Sequence, residues 1–303
     1  MCPSTTHATP GPRSVEFSRL DKVLFPEDQI TKGDLIEHYR TVADRMLPFL
    51  RDRPLAVARY PDGIEAFSFF QQAAPAHTPS WIARVTVPKE GGTITHLVCQ
   101  DEQTLVYLAN QAAVTMHTWL SRIDRLERPD QVLFDLDPHG HDFSEARHAA
   151  LALRELLGEL GLPSLVKTTG GRGLHVSVPV VRRYDAEELR GFARNVCAVL
   201  TTREPDRYTS EIRKDKREGR LFLDTTRNAW AMLAVAPYSV RAVSEARVAT
   251  PLDWSELEDA RLLPSRFTLR TIGKRLAEPD PWRDLPAPVT LGKARERIGD
   301  LPT

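Results

Sequence analysis

The chain has 303 residues, 41% hydrophobic and 27% charged, enough to bury a sizeable core in one large domain or two modest ones. Its 41 basic and 41 acidic residues cancel to a formal charge of +0, so a nucleic-acid partner has to be met by a local basic surface. Cys2, Cys99 and Cys197 are scattered without a C-x-x-C pair, which argues against a disulfide framework and for a reducing, cytoplasmic setting.

The opening MCPSTTHATPGPRS lacks the apolar centre of a signal peptide and reads as a disordered leader over 1–14. No apolar run is long enough to span a bilayer, so no membrane partner is expected. Apolar residues at helical spacing over 34–50 predict a helix, and Thr31 with Asp34 supplies its capping box. RPLAVARYPDG reads as a strand entering a turn, 84–100 as a hairpin closed by KEGG, and 103–123 as a second helix. QVLFDLD is a short β-rich strand. Asp142 with Glu145 then opens a helix that stops at Gly161. SLVKTT and LHVSVPV form a strand pair around a Gly-Gly-Arg-Gly turn, and Asp185 with Glu188 caps a helix reaching about Leu200. A mostly basic stretch leads to the strand RLFLDTT and an extended segment ending at APYSVRA. The chain turns helical again around 267–276 and is Pro-rich over 279–303. Hairpins among interleaved helices favour an α+β fold with mainly antiparallel sheets flanked by helices over a doubly wound one.

Asp135 and Asp137 are two apart on a predicted strand, so both carboxylates leave one face about 6.5 Å apart. Carboxylates at that spacing can bridge two divalent ions about 3.5–4 Å apart, and Asp224 ends a second apolar strand in the same way. Two other readings stand beside the metal site. The pair can simply cap the loop before the helix at Asp142. A haloacid-dehalogenase-like phosphatase also carries DxD after an apolar strand, but it has Thr or Val where this chain has His139. In Lys167-Thr-Thr-Gly-Gly-Arg-Gly-Leu-His175 the glycines, Gly171 among them, let backbone N–H groups converge on phosphate oxygens, and Thr169 and Arg172 add donors. Strand alternation places His175 on the polar face with Ser177, where either a triphosphate contact or an ordinary surface histidine is compatible with the pattern.

Taken in order over 20–242, DKVLFPEDQITKGDLIEHYRTVADRMLPFLRDRPLAVARYPDG, ANQAAVTMHTWLSR, VLFDLDP, KTTGGRGLHVSVP, GRLFLDTTRN and APYSVRA resemble the archaeo-eukaryotic primase superfamily. Within it they are most similar to the polymerase domains of bacterial DNA ligase D and their stand-alone relatives. The resemblance implies a primase-type catalytic domain over 15–278 that adds nucleotides to a primer 3′-hydroxyl at gaps or breaks bearing a 5′-phosphate, with ribonucleotides preferred. It implies Mn²⁺ or Mg²⁺ held by the catalytic residues Asp135, Asp137 and Asp224. His117, Thr169, His175 and Arg241 are implied around the incoming nucleoside triphosphate, with Gly171, Arg172 and Arg227 beside it. Lys22 and Lys32 match lysines that hold the DNA 5′-phosphate, Phe69 and Phe70 an aromatic pair that stacks on the template, and Arg217 an arginine of a mobile loop that helps assemble the metal site. Ku and a DNA ligase are the implied protein partners, in a cytoplasmic, nucleoid-associated setting. A module that binds DNA ends without turnover is the alternative.

The chain departs from that pattern in places. Gln72 stands where Lys is usual after Phe-Phe-Gln, Thr169 replaces Ser, and Thr115 replaces a Glu two residues before His117. After Asp224, Thr-Thr-Arg-Asn replaces Tyr-Leu-Gln-Asn, followed by Ala-Trp-Ala-Met-Leu. Nucleotide preference and template geometry are the properties these changes touch.

Overall fold

A computed structural model describes residues 14–138, 140 and 142–302, together with the Thr5–Thr6 strand. The expected leader over 1–14 thus falls almost wholly outside the described residues. The chain divides into two compact units, each discontinuous in sequence: Met1–Leu126 with Leu233–Ala249 and Phe267–Glu278, and Glu127–Met232 with Thr250–Arg266 and Pro279–Thr303.

In the first unit, Thr31 and Asp34 form the expected reciprocal cap, and Lys32–Thr41 follows as a helix. A break at Val42 separates it from a second helix, Ala43–Leu50, so the stripe over 34–50 is two helices. The sheet runs Thr5–Thr6, Arg84–Lys89, Gly92–Val98, Pro54–Arg59, Ala113–Trp119, Leu233–Val235, with Phe69–Gln71 also paired to Pro54–Arg59. The KEGG hairpin is present, with Lys89 opposite Gly92. The helix expected over 103–123 is corrected. It runs only over Glu102–Asn110, Ala112 takes a left-handed φ of 56°, and Ala113–Trp119 is a strand. That strand lies between two others and is buried on both faces, so its side chains show no two-residue alternation. His117 is therefore a strand residue and shares no helix face with Asn110. The helix expected around 267–276 is likewise shorter, Ile272–Ala277. Thr268 and Thr271 accept each other's backbone N–H at 2.9 and 3.2 Å and hold a turn there instead.

In the second unit the strand order is Tyr208–Thr209, Leu221–Asp224, Gln131–Asp137, Leu174–Pro179, Leu165–Thr168, Pro251–Leu252. Every pair is antiparallel except the first, which is parallel. Val132, Phe134, Leu136, Leu174, Val176 and Val178 alternate onto one face, none more than 1% exposed. The helices Phe143–Glu159 and Ala186–Arg203 pack on these strands. Both start where the sequence says: Asp142 accepts from Ser144 N, and Asp185 with Glu188 forms a capping box. Gly161 takes φ 74° after the first helix, the conformation that closes a helix most cheaply with glycine. The Pro-rich segment carries a bridge from Val289 to Val180 and a helix, Gly292–Gly299, against Ala186–Arg203.

Candidate functional site

Directly opposed residues of a pleated sheet project from the same face. In the second unit Asp224 opposes Asp135, Asp135 opposes His175, and His175 opposes Lys167. The four side chains therefore form one row across four strands, and Asp137 stands two residues along from Asp135 on the same face. Asp224, far from the other two in sequence, is brought opposite Asp135 by strand register.

Asp135 is the buried member, its side chain 14% exposed, and two donors face it. His175 Nε2 lies 3.5 Å from Oδ1 and Arg227 Nε 3.3 Å from Oδ2. Burial pushes the Asp135 carboxyl up, but His175 and Arg227 together outweigh it and hold the group at about 2. His175 is itself buried, and burial, with the Lys167 ammonium nearby, drives its imidazole down to about 4 against the pull of Asp135. At neutral pH a neutral imidazole thus donates Nε2–H to an ionised carboxylate, and Nδ1 is left buried without a partner. The polar face is confirmed for His175, but it is an interior position and not a surface one.

Asp137 is more open, with Arg172 Nη2 3.5 Å from its carboxylate. Asp224 Oδ1 accepts the backbone N–H of Thr226 at 2.7 Å. That bond starts the short turn Thr226–Asn228, which aims Arg227 at Asp135. Asn228 is the residue the sequence reading passed over. Buried to 1% exposure, it donates Nδ2 to the carbonyls of Leu133 and Thr225 and accepts the Leu133 N–H at 2.8 Å. Pairing between the two aspartate strands stops at Asp224, and Asn228 satisfies the backbone of the Asp135 strand just beyond that point. An Asn a few residues after a strand-ending Asp was the available signal.

The glycine turn packs against the same strand. Thr169 Oγ1 donates to Gly173 O at 3.1 Å and accepts the Gly171 N–H at 3.2 Å, so the hydroxyl closes the turn. A Cβ on Gly173 would lie 2.2 Å from the Leu136 carbonyl oxygen, so the turn can approach the aspartate strand only as glycine. Arg172 Nη1 reaches Gly140 O at 3.2 Å. Arg217 donates to the carbonyls of Glu211 and Ile212 and lies over the Phe222 ring, 4.0 Å from its centroid. Phe222 opposes Asp137, so Arg217 fastens its loop beside the row.

The remaining candidates lie in the first unit. Lys32 N–H donates to Lys22 O at 2.8 Å, which holds the two lysines side by side. Lys22 pairs with Asp62, and the buried Lys32 ammonium reaches Ser18 Oγ at 3.4 Å. Burial lowers the Lys32 pKa, and Arg19 and Lys22 lower it further against the opposing pull of Asp21. Phe69 and Phe70 are both exposed, and neither is core. They face opposite ways. Phe70 sits edge-on to His117 at 5.3 Å, whereas Phe69 stacks on Phe67 at 5.9 Å and carries Arg59 5.2 Å from its ring. Phe67, 73% exposed, was not singled out from sequence. Arg241 N–H bonds Arg247 O at 2.8 Å, just after the buried Ser239. Ser239 Oγ accepts the Met116 N–H at 2.8 Å, fixing the His117 strand, and Tyr39 OH donates to Val114 O at 2.6 Å beside it.

An α+β, mainly antiparallel core with three carboxylates gathered by register is that of the archaeo-eukaryotic primase-type polymerases. Residues 31–282 match the model of the LigD primase-polymerase domain, and the chain belongs to that family. It is a nucleotidyltransferase of the primase-polymerase type. The chain is 34% identical over 272 residues to the bifunctional non-homologous end joining protein LigD of Bacillus subtilis, covering 89% of this chain and 44% of that protein. It is 31% identical over 283 residues to the multifunctional LigD of Mycolicibacterium smegmatis, covering 91% and 36%. The chain thus spans less than half the length of these relatives. The polymerase domain from Mycobacterium tuberculosis ligase D, solved in complex with DNA, superposes with a TM-score of 0.82 at 28% identity, covering 96% of this chain and 100% of that one. No described helix is long and apolar enough to cross a membrane.

Proposed function

We propose that the chain is the nucleotide-adding component of non-homologous end joining, extending a primer 3′-hydroxyl under template control at gaps or broken ends bearing a 5′-phosphate. The register that opposes Asp224 to Asp135, with Asp137 on the same face, carries this reading. All-oxygen donors suit Mn²⁺ or Mg²⁺. Among the described residues no three His, Cys, Asp or Glu side chains already stand at metal-holding distances. The donors fit in kind and in register, but Arg227 and Arg172 now engage the Asp135 and Asp137 oxygens. Bound there, such ions would supply activation of the 3′-hydroxyl and neutralisation of triphosphate charge.

The chain's own groups do the rest. The turn around Thr169 and Gly171 lies beside the aspartate strand with its Gly171 N–H held by Thr169 Oγ1, and Arg172 adds a cation for phosphate oxygens. His175 holds Asp135 in place and shields it from water. His117 and Arg241 serve the nucleotide, and Lys22 and Lys32 give a compact charge pair for a terminal 5′-phosphate. Phe69 and Phe70, joined by Phe67, offer faces to unpaired bases with little sequence preference. Ribonucleotide preference, Ku and a ligase as partners, and work on nucleoid DNA in the cytoplasm complete the reading.

Primer extension with Mn²⁺ on a gapped duplex, with and without the 5′-phosphate, tests it. Extension by the wild type that depends on the 5′-phosphate supports the proposal. Binding without extension would leave an end-binding module instead, and template-independent hydrolysis of a phosphomonoester would favour the phosphatase.

A further inference from the structure

Arg227 stands where the resemblance leads one to expect glutamine, and its surroundings give that change a consequence. Asp135 is an ionised carboxylate in a largely buried position, which is costly unless charge or donors compensate it. His175 Nε2 lies 3.5 Å from Oδ1 on one side. Among the described residues, the arginine within hydrogen-bonding range of the carboxylate is Arg227, its Nε 3.3 Å from Oδ2. The backbone on either side of Arg227 is fixed, by Thr226 N–H on Asp224 and by Asn228 on Leu133. The Arg227 side chain is 38% exposed, so it can leave by rotating outward without disturbing that turn.

We propose that Arg227 is a built-in counter-cation of Asp135, which a divalent metal ion must displace to bind. The inference rests on the metal-site reading above and concerns how that site is regulated. The aspartate row is kept neutralised and folded without metal, and loading becomes an exchange of one cation for another. Glutamine at this position would remove the guanidinium charge beside Asp135 and leave the carboxylate more avid for a cation. Lysine, whose ammonium lacks the guanidinium's fork and delocalised charge, would hold Asp135 less well.

Binding of Mn²⁺ to the full chain without DNA or nucleotide, followed by the electron paramagnetic resonance of free Mn²⁺, provides the test. Arg227→Gln is expected to bind Mn²⁺ more tightly, on the order of tenfold, and Arg227→Lys to fall between it and wild type. Asp135→Asn is expected to weaken binding, and adding Arg227→Gln to Asp135→Asn should bring no gain. Thermal unfolding checks that each variant is folded; were Arg227→Gln unfolded, Arg227→Lys would carry the comparison. Unchanged or weaker binding by folded Arg227 variants, with Asp135→Asn still weakened, overturns the counter-cation role while sparing the metal site. Wild-type Mn²⁺ binding by Asp135→Asn overturns the metal-site reading itself.

Discussion

The carboxylate row of the second unit and the lysine and phenylalanine surface of the first are built on opposite physical plans. The row places charge in the interior and answers each carboxylate with a donor: His175 and Arg227 for Asp135, Arg172 for Asp137, Thr226 N–H for Asp224. The other groups are more open to exchange, with Lys22 paired to the exposed Asp62 and Phe67, Phe69 and Phe70 open to solvent. Chemistry that needs fixed geometry is served by the first arrangement. Contact with a long, variable polymer is served by the second, where stacking on exposed rings and the release of counterions from phosphates are the sources of affinity.

Substitutions should separate the two plans. Asp137→Ala is expected to cut primer extension by at least roughly a hundredfold, the scale of losing a group that stabilises developing charge, while 5′-phosphate-dependent DNA binding stays near wild type in a gel-shift assay. Extension by that variant at wild-type rate would refute the assignment. Gly173→Ala must move the Leu136 carbonyl and should destabilise by about 2–4 kcal/mol in urea unfolding. Asn228→Ala strands the buried Leu133 N–H and should cost about 1–3 kcal/mol, with extension falling as Arg227 and Asp224 lose their support. On the other surface, Phe67→Ala should weaken binding to a single-stranded overhang by about 1 kcal/mol, the low end for base stacking, and leave stability unchanged.

A further effect concerns pH. His38 lies in the core of the first unit, where burial drives its pKa down to about 4 although its contact with the Tyr238 carbonyl opposes this. The unfolded chain, with the ordinary value of 6.5, binds the proton more readily. The neutral form's contribution is therefore complete above pH 6.5 and is lost as the pH falls toward 4. His38→Gln should flatten the fall in melting temperature over that window, by differential scanning fluorimetry.

Caps and hairpins were legible because their signals are local: Thr31 with Asp34, Asp185 with Glu188, and the KEGG turn each lie within a few residues. The aspartate spacing was legible because strand periodicity puts Asp135 and Asp137 on one face. Ala113–Trp119 was not, since a strand buried on both sides has lost the alternation that marks it, and Ala109, Ala113 and Met116 mimic helical spacing. The contacts of Arg227 and Asn228 were also beyond sequence. Nothing local says that one turn aims a cation at a carboxylate 92 residues away or that its neighbour bonds a strand backbone 95 residues away. Phe67 needed a measure of exposure, because one more phenylalanine in a Phe-rich stretch reads equally well as core.

The register of Leu221–Asp224 bears on how the gene can vary. Side chains alternate with every residue, so deleting one position between Leu221 and Asp224 would turn Asp224 away from Asp135 while hardly altering composition or hydropathy. Within the connection between two paired strands, residues 213–216 are exposed and lie between the carbonyls that Arg217 holds and Arg217 itself, and a flexible loop costs only about 0.6 kcal/mol for a doubling in length. Insertions and deletions among descendants of this gene should gather in 213–216 and be absent from 221–224. That boundary would be visible in a library of random indels selected for function.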